Sequence, residues 1–338
     1  MTPEWKTNVA EFVVPPIAVD DRRVFVATRD GVVRGLDQAT GETLWKVDGT
    51  PGRVAAAAGL VVVRGEDGTV WNLQPDSGSV RWRVPTDVAG DLPAIIDGER
   101  ILVAGRGLAA IETTTGRLLW TEAGSADVTA APVVAGTRLL IGEMTGALRC
   151  RDRMSGTALW AFPTRGALVS PPVVDVDRRR VYLGTTDGQI VELTLDRGRP
   201  GWRWRVGADV IHPGLRLGDR VLFAALDAVV YALHRGGNLA WRAPLPSRPL
   251  SAPLLVAGGI LVACHENDLV GLEAETGRPT GSLRTSAEIR TPPVVAGGRI
   301  FLGLRDRSVV AYALPKPADT AAVPPEGGPA VDPRSPDG

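Results

Sequence analysis

Residues 15–45 read PPIAVDDRRVFVATRDGVVRGLDQATGETLW and contain the pattern that decides the fold. Three short apolar runs are separated by polar turns, and a fourth run ends at Trp45. The Asp30-Gly31 link is a strong hairpin signal, because both residue types tolerate the positive φ of a two-residue turn. The stretch therefore predicts four antiparallel strands, A to D, with Gly41 in the turn between C and D.

This unit recurs along the chain. Clear copies begin at Ala131, Pro171 and Thr291, and weaker copies begin near Val54, Leu92, His212 and Ser251. The strand D tryptophan recurs at intervals of 37 to 44 residues, with Leu283 expected in the next slot: Trp5, Trp45, Trp82, Trp120, Trp160, Trp204 and Trp241. That period is typical of one four-stranded propeller blade.

The two ends of the chain indicate how the ring closes. The last unit stops at Leu314, before any strand D, whereas the segment around Trp5 resembles a strand D with nothing before it. We therefore predict an all-β, eight-bladed propeller over residues 1–314, in which the first strand completes the last blade and removes an open edge. Residues 315–338 are rich in proline, lack aromatic residues and are expected to be a disordered tail.

Composition and charge exclude several classes of protein. Lys plus Arg and Asp plus Glu number 38 each, so no basic field favours nucleic acid. Two cysteines are too few for a disulfide scaffold. No run of about 18 apolar residues predicts a membrane span. The first residues, MTPEWKTNVAEF, do not resemble a secretory signal, so either the protein is cytoplasmic, or a signal was removed and Met1 was added in its place.

The Asp-x-x-Thr-Gly-x-x-x-Trp element resembles the PQQ-type propeller repeat. The resemblance implies that each strand D tryptophan stacks near the Thr-Gly turn of a neighbouring blade. The glycines at the matching turns are Gly41, Gly78, Gly116, Gly156 and Gly277. Blade five departs from the pattern and offers Trp202 or Trp204, blade six reads HRGGNLAW, and blade seven lacks the tryptophan.

Two branches of the resembled family differ in function. Quinoprotein dehydrogenases carry vicinal cysteines, whereas Cys150 and Cys264 lie three blades apart in this chain. The periplasmic propeller of the outer-membrane β-barrel assembly machinery (BamB-like) is eight-bladed and non-enzymatic. Resemblance to that branch implies a protein-binding scaffold without a cofactor, a monomer within a complex. Its location would be the periplasm or the inner face of the outer membrane, although the lipid-bearing cysteine of that branch is absent here.

Other candidate sites have simpler explanations. The three histidines, His212, His234 and His265, occupy inequivalent positions and should not converge on a metal. No nucleophile, P-loop or zinc-protease motif occurs. The run of residues 178–180, all arginine, is expected to be a solvated hairpin neutralised by Asp175 and Asp177. Arg151 occupies a slot that is leucine or isoleucine in other blades, so it should pair with an acid such as Asp152 or mark a polar contact.

The links between blades are the best candidates for function. Strand alternation places the D–A links and the B–C turns on one rim, and the D–A links vary most in sequence. Because variable links on a regular scaffold are free to specialise, we predict that a protein partner binds this rim. Arg165, Gly166 and, in the next link, Asp209 weakly resemble partner-contacting links of the assembly propeller. Alternatives are a ligand-sensing module of a bacterial signalling protein and a PQQ-dependent dehydrogenase.

Overall fold

The computed structural model describes residues 2–49 and 51–314, apart from the side chains of residues 123–126. The tail predicted over residues 315–338 lies outside the described residues. Within the described part, 31 strands form eight antiparallel sheets, one for each blade. The predicted all-β, eight-bladed propeller is confirmed.

The first four blades follow the predicted order of strands. Blade one comprises β2 (Val13–Val19), β3 (Arg23–Thr28), β4 (Val32–Asp37) and β5 (Thr43–Asp48). Blade two comprises β6 (Gly52–Ala57), β7 (Leu60–Gly65), β8 (Thr69–Leu73) and β9 (Val80–Pro85). Blade three comprises β10 (Ile95–Asp97), β11 (Arg100–Glu112) and β12 (Leu118–Asp127). Blade four comprises β13 (Val133–Ala135), β14 (Arg138–Glu143), β15 (Ala147–Asp152) and β16 (Ala158–Pro163).

The last four blades repeat this arrangement. Blade five comprises β17 (Val173–Asp175), β18 (Arg180–Gly184), β19 (Gln189–Thr194) and β20 (Pro200–Arg205). Blade six comprises β21 (Leu215–Leu217), β22 (Arg220–Ala225), β23 (Val229–His234) and β24 (Leu239–Pro244). Blade seven comprises β25 (Leu254–Val256), β26 (Gly259–Ala263), a 3-10 turn (His265–Asn267), β27 (Asp268–Glu273) and β28 (Pro279–Arg284). Blade eight comprises β29 (Val294–Ala296), β30 (Arg299–Gly303), β31 (Ser308–Ala313) and β1 (Trp5–Asn8).

Blade eight joins the two ends of the chain. Strand β1 pairs antiparallel with β31, with Trp5 opposite Ala311. The Lys6 ammonium lies 2.6 Å from the Asp306 carboxylate. The predicted closure of the last blade by the first strand is therefore present, and β31 has a partner along its outer edge.

Blade three departs from the four-stranded plan. The single strand β11 has 13 residues and spans the positions of strands B and C. No Asp-Gly turn interrupts it; Gly105 and Gly107 stand there instead. Gly105 is required, because a Cβ at this position would lie 2.2 Å from the Ala89 carbonyl oxygen. The link between blades two and three therefore packs directly on the backbone of blade three.

The core lies between adjacent blades. Strands B and C supply most of its fully buried aliphatic side chains. Successive residues of each strand face opposite sides of the blade, so they pack alternately against the two neighbouring blades. Leu222 and Val230 of blade six, for example, pack in one cluster with Val262 and Leu272 of blade seven. This arrangement makes each blade a template for the next and fixes the positions of the loops at both ends.

The loops at the two ends of the strands form two rims. The A–B and C–D turns form one rim, called here the Thr-Gly rim. The B–C turns and D–A links form the opposite rim, called the link rim. Hydrogen bonds join the two parts of the link rim: the Gly68 carbonyl accepts from Thr86 N at 3.0 Å, and the Gly188 carbonyl accepts from Val206 N at 2.9 Å.

Over residues 2–49 and 51–314 no helix is long and apolar enough to cross a membrane.

Candidate partner-binding rim

Seven tryptophans hold successive blades together. The Trp45 indole donates from Nε1 to the Pro75 carbonyl at 2.7 Å, and a Cβ on Gly78 would lie 2.5 Å from its Cε3 atom. The same contact of a strand D indole with the C–D glycine of the next blade occurs in these pairs: Trp5–Gly41, Trp45–Gly78, Trp82–Gly116, Trp120–Gly156, Trp160–Gly198, Trp202–Gly237 and Trp241–Gly277. Gly198 of blade five and Gly237 of blade six were not among the glycines expected from the repeat.

Blade five uses a different tryptophan from the one that the repeat spacing favoured. Trp202, not Trp204, donates to the Arg235 carbonyl at 2.7 Å and covers Gly237. Trp204 instead pairs with Ile190, whereas Trp202 lies beside the register shift between Val191 and Leu193, as Trp45 lies beside the shift between Gly35 and Leu36. The assignment of Trp204 as the docking residue is therefore wrong by two residues, one full period of the strand.

Blade seven lacks a tryptophan for a structural reason. The residue opposite Gly271 is Gly281, whereas Leu283 lies opposite Leu269, so the expected slot for Leu283 is also wrong by two residues. The next blade, blade eight, is made from both chain ends and has no continuous C–D turn for an indole to cover. The series of indole–glycine contacts between blades therefore ends with Trp241 and Gly277, before the blade that joins the two chain ends.

The contact between blades three and four is looser than the others. A Cβ on Gly156 would lie 3.7 Å from Trp120, and the Trp120 indole nitrogen has no hydrogen-bond partner within the described residues. Arg100 donates instead to the Arg153 carbonyl, the equivalent acceptor, at 3.2 Å. Arg151, expected to pair with Asp152 or another acid, forms an ion pair with Glu122 of blade three and donates to the Gly156 carbonyl at 3.0 Å.

Arg165 and Gly166 lie in the link between blades four and five. Arg165 is exposed, and its side chain has no hydrogen bond or ion pair to another described residue. Gly166 is buried, and a Cβ there would lie 2.5 Å from Asp187 N in the B–C turn of blade five. The link is fastened on both sides, since Thr164 N donates to the Gly146 carbonyl at 2.8 Å and Ala167 N donates to the Thr186 hydroxyl at 2.9 Å. Gly166 thus fixes the backbone that presents Arg165.

Asp209 lies in the next link, between blades five and six. Its carbonyl accepts from Leu226 N in the B–C turn of blade six at 2.9 Å. Its partly exposed carboxylate has no hydrogen bond or ion pair within the described part of the chain. Arg165 and Asp209 therefore share the link rim on neighbouring links and carry opposite charges that the fold itself does not use.

Two features of this rim escaped the sequence analysis. Arg64 is 1% exposed and donates to the carbonyls of Val88, Leu92 and Ala104 at 2.6 to 2.9 Å, which fastens the link between blades two and three. Burial lowers the pKa of Arg64 to about 10. Phe12 lies beneath two guanidinium groups, those of Arg29 at 5.5 Å and Arg307 at 5.4 Å. The Arg-Gly sequence of residues 64–65 gives no sign of this burial, which depends on a link 24 to 28 residues away.

The histidines and cysteines occupy separate positions in the fold. The His212 ring donates from Nε2 to the Pro249 carbonyl at 3.0 Å, and burial lowers the pKa of His212. Burial raises the pKa of both cysteine thiols, Cys150 and Cys264, to about 11. No three His, Cys, Asp or Glu side chains in residues 2–49 and 51–314 are grouped to hold a metal ion.

The run of residues 178–180 is only partly as expected. Arg178 pairs with Asp175 at 3.0 Å, but Asp177 pairs with none of the three. Arg179 forms an ion pair with Asp196, and Arg180 Nε lies 3.3 Å from Glu192. Two of the three partners therefore come from strand C and its turn, rather than from the hairpin.

Comparisons with known proteins identify relatives over nearly the whole chain. The PQQ_2 family model, described as Outer membrane protein assembly factor BamB, matches residues 2–88, 30–160, 66–222 and 226–316. BamB of Yersinia pestis is 26% identical over 328 residues, which are 86% of this chain and 81% of that protein. The serine/threonine-protein kinase AfsK of Streptomyces griseus is 28% identical over 299 residues, which are 79% of this chain and 35% of the kinase.

Solved structures share the fold. BamB from Moraxella catarrhalis superposes with a TM-score of 0.75 at 20% identity, over 92% of this chain and 98% of that one. A quinohemoprotein alcohol dehydrogenase from Comamonas testosteroni superposes with a TM-score of 0.73 at 13% identity, over 93% of this chain and 77% of that one. At these identities the likeness concerns the propeller alone.

Proposed function

Because the chain belongs to the PQQ-repeat propeller family of the outer membrane protein assembly factor BamB, we propose that it is a non-enzymatic scaffold for outer-membrane protein assembly. It holds a protein partner on the link rim, at the links that carry Arg165 and Asp209. We place it on the periplasmic side of the outer membrane, where an assembly factor meets its clients.

One observation carries the choice of rim. The Arg165 and Asp209 side chains have no partner within the described residues, yet the backbone of each link is bonded to a B–C turn. Because the backbone of each link is already ordered, only the side chains lose conformational freedom on binding. A rim with a free cation and a free anion on adjacent links can recognise a partner that presents the complementary pair.

The test compares two double variants of equal charge change. Arg165→Ala/Asp209→Ala removes the proposed contacts, and Asp21→Ala/Arg22→Ala removes an exposed pair from the Thr-Gly rim of blade one. Each immobilised protein, first shown to be folded by a thermal melt, is incubated with envelope extract, and the bound proteins are identified by mass spectrometry. We expect the link-rim variant alone to lose a component of the assembly machinery. Equal capture by both variants would exclude these two residues as the contact.

A second candidate is a ligand-sensing module of a signalling protein. It is supported by the kinase relative, in which the matched region is only 35% of the polypeptide. An antibody against the propeller distinguishes the two proposals by the size of the native polypeptide. A band long enough to include a kinase would favour the sensor, whereas a propeller-sized band in the envelope fraction would favour the scaffold.

A further inference from the structure

A cavity of about 540 Å³ lies on the link rim, but a second one, of about 420 Å³, opens on the opposite Thr-Gly rim. The second cavity lies between blades five and six and is lined by Arg178, Arg180, Tyr182, Glu192 and Arg235. The C–D turn of blade six, HRGGN, borders the cavity through Arg235 and Gly236 and is one residue shorter than that of blade one, DQATGE.

Two buried carboxylates orient the arginines from below. Asp175 is 2% exposed and accepts from Arg178 Nη1 at 3.0 Å. The Glu192 side chain is 9% exposed and lies 3.3 Å from Arg180 Nε. A guanidinium has five N–H donors, and each carboxylate engages only one edge of its arginine. The side chains of Arg178 and Arg180 are each 39% exposed and line the cavity, and of their remaining donors Arg180 Nη1 alone has an acceptor among the described residues, the Arg179 carbonyl at 3.4 Å.

Arg235 adds a third guanidinium from blade six. Its carbonyl accepts from the Trp202 indole at 2.7 Å, so the docking contact holds its backbone in place. Its Nη2 atom approaches only the Gly218 carbonyl, at 3.4 Å. No carboxylate of the described residues pairs with it. Arg235 is therefore a cation in the wall of the cavity whose charge the fold leaves uncompensated.

The surroundings add further positive charge, although the whole chain is neutral. The A–B and C–D turns of blades five and six, with the strand residues within three positions of them, carry eight arginines: Arg178, Arg179, Arg180, Arg197, Arg199, Arg216, Arg220 and Arg235. The same region carries five carboxylates: Asp175, Asp177, Glu192, Asp196 and Asp219. His234, in the same region, lies 3.1 Å from Asp219. The excess of cations gives this part of the rim a positive field.

We propose that this cavity binds a phosphate group, held by Arg178, Arg180 and Arg235. Planar guanidinium groups bind phosphate oxygens through paired, charge-assisted hydrogen bonds, and buried carboxylates that fix two of the three reduce the cost of ordering them. The phosphate belongs either to a soluble phosphate ester or to the headgroup of a lipid. The site is on the rim opposite to Arg165 and Asp209, so it is independent of the scaffold function.

The test uses the folded chain, two phosphate probes and a matched control. Inorganic pyrophosphate is titrated by calorimetry, and vesicles of phosphatidylcholine with or without phosphatidic acid are tested by co-sedimentation. Arg178→Gln/Arg235→Gln leaves Asp175 with Arg216 at 3.5 Å, which limits damage to the fold. Arg22→Gln/Arg278→Gln removes the same charge from exposed positions of the same rim, in blades one and seven. A thermal melt establishes that both variants are folded.

We expect one pyrophosphate per chain, weakened at least about tenfold by Arg178→Gln/Arg235→Gln and less than about twofold by the control. Binding to phosphatidic acid vesicles with the same variant pattern identifies a lipid headgroup, and pyrophosphate binding without vesicle binding identifies a soluble ester. Absence of saturable binding to either probe would overturn the proposal. Equal weakening by both variants would also overturn it, since that result means non-specific attraction to the rim.

Discussion

Alanine at Gly78 should destabilise the protein more than alanine at Gly59, although both glycines lie in turns of blade two. Their backbone conformations are nearly equal, with φ of +70° and +74°. Their surroundings differ, because a Cβ on Gly78 would lie 2.5 Å from Trp45 Cε3, whereas nothing lies within 4 Å of a Cβ on Gly59. The pair therefore separates the cost of the turn conformation from the cost of the indole contact.

The magnitude follows from two terms. Placing an alanine in the left-handed region costs roughly 1–2 kcal/mol at either site. Only Gly78→Ala must also displace a rigid indole from a packed position, which adds about 1–3 kcal/mol. We expect the difference between the two variants in the free energy of unfolding to equal this second contribution.

Urea unfolding followed by circular dichroism measures the difference, and a double-mutant cycle checks its origin. In a Trp45→Ala background, which itself should cost about 3–5 kcal/mol, most of the extra cost of Gly78→Ala should disappear, and what remains comes from Val47 Cγ2, 2.8 Å from the added Cβ. If Gly78→Ala and Gly59→Ala were equally destabilising with Trp45 present, indole docking would not be what holds neighbouring blades together.

Three further predictions concern closure, pH and a buried charge. Deleting residues 1–10 should lower the free energy of unfolding by more than about 3 kcal/mol, because the buried Trp5 is lost, and an unchanged thermal melt would exclude closure by β1. Burial lowers the pKa of His212, so the unfolded chain takes up its proton first and stability should fall below pH ~6.5; the fall should be smaller in His212→Gln, and identical pH profiles of urea midpoints would refute this. Arg64→Met leaves three buried carbonyls without their donor and should cost more than about 2 kcal/mol in urea unfolding, whereas an unchanged midpoint would contradict that role.

The fold could be predicted from the sequence because each blade repeats the same local signals. Hairpin turns such as Asp30-Gly31 and a tryptophan about every 40 residues depend on contacts within one blade or with the next, so they recur in the sequence. The closing strand at Trp5 followed from counting these units.

The exceptions depend on register and on distant partners. Trp202 and Trp204 differ by one strand period, so the interval between tryptophans did not separate them, although Trp202 alone follows a turn glycine, Gly198, by four residues, as Trp45 follows Gly41. Arg64 lies in a strand that otherwise reads as apolar, and both Arg64 and Arg151 depend on an acceptor in blade three, the Ala104 carbonyl and the Glu122 carboxylate. The candidate residues Arg165 and Asp209 could be assigned to a rim because links and turns alternate, but which partner they bind depends on a second molecule.

Site-specific photo-crosslinking tests the central claim most directly, because it reports which rim contacts a partner. A photoreactive amino acid replaces Arg165 or Asp209 on the link rim, and Glu42 or Asp177 on the Thr-Gly rim, in cells that express the protein in the envelope. We predict crosslinks to a component of the outer-membrane assembly machinery from positions 165 and 209, and none from positions 42 and 177. Crosslinks from positions 42 and 177 alone, or from all four at equal yield, would contradict the assignment of the link rim as the binding surface.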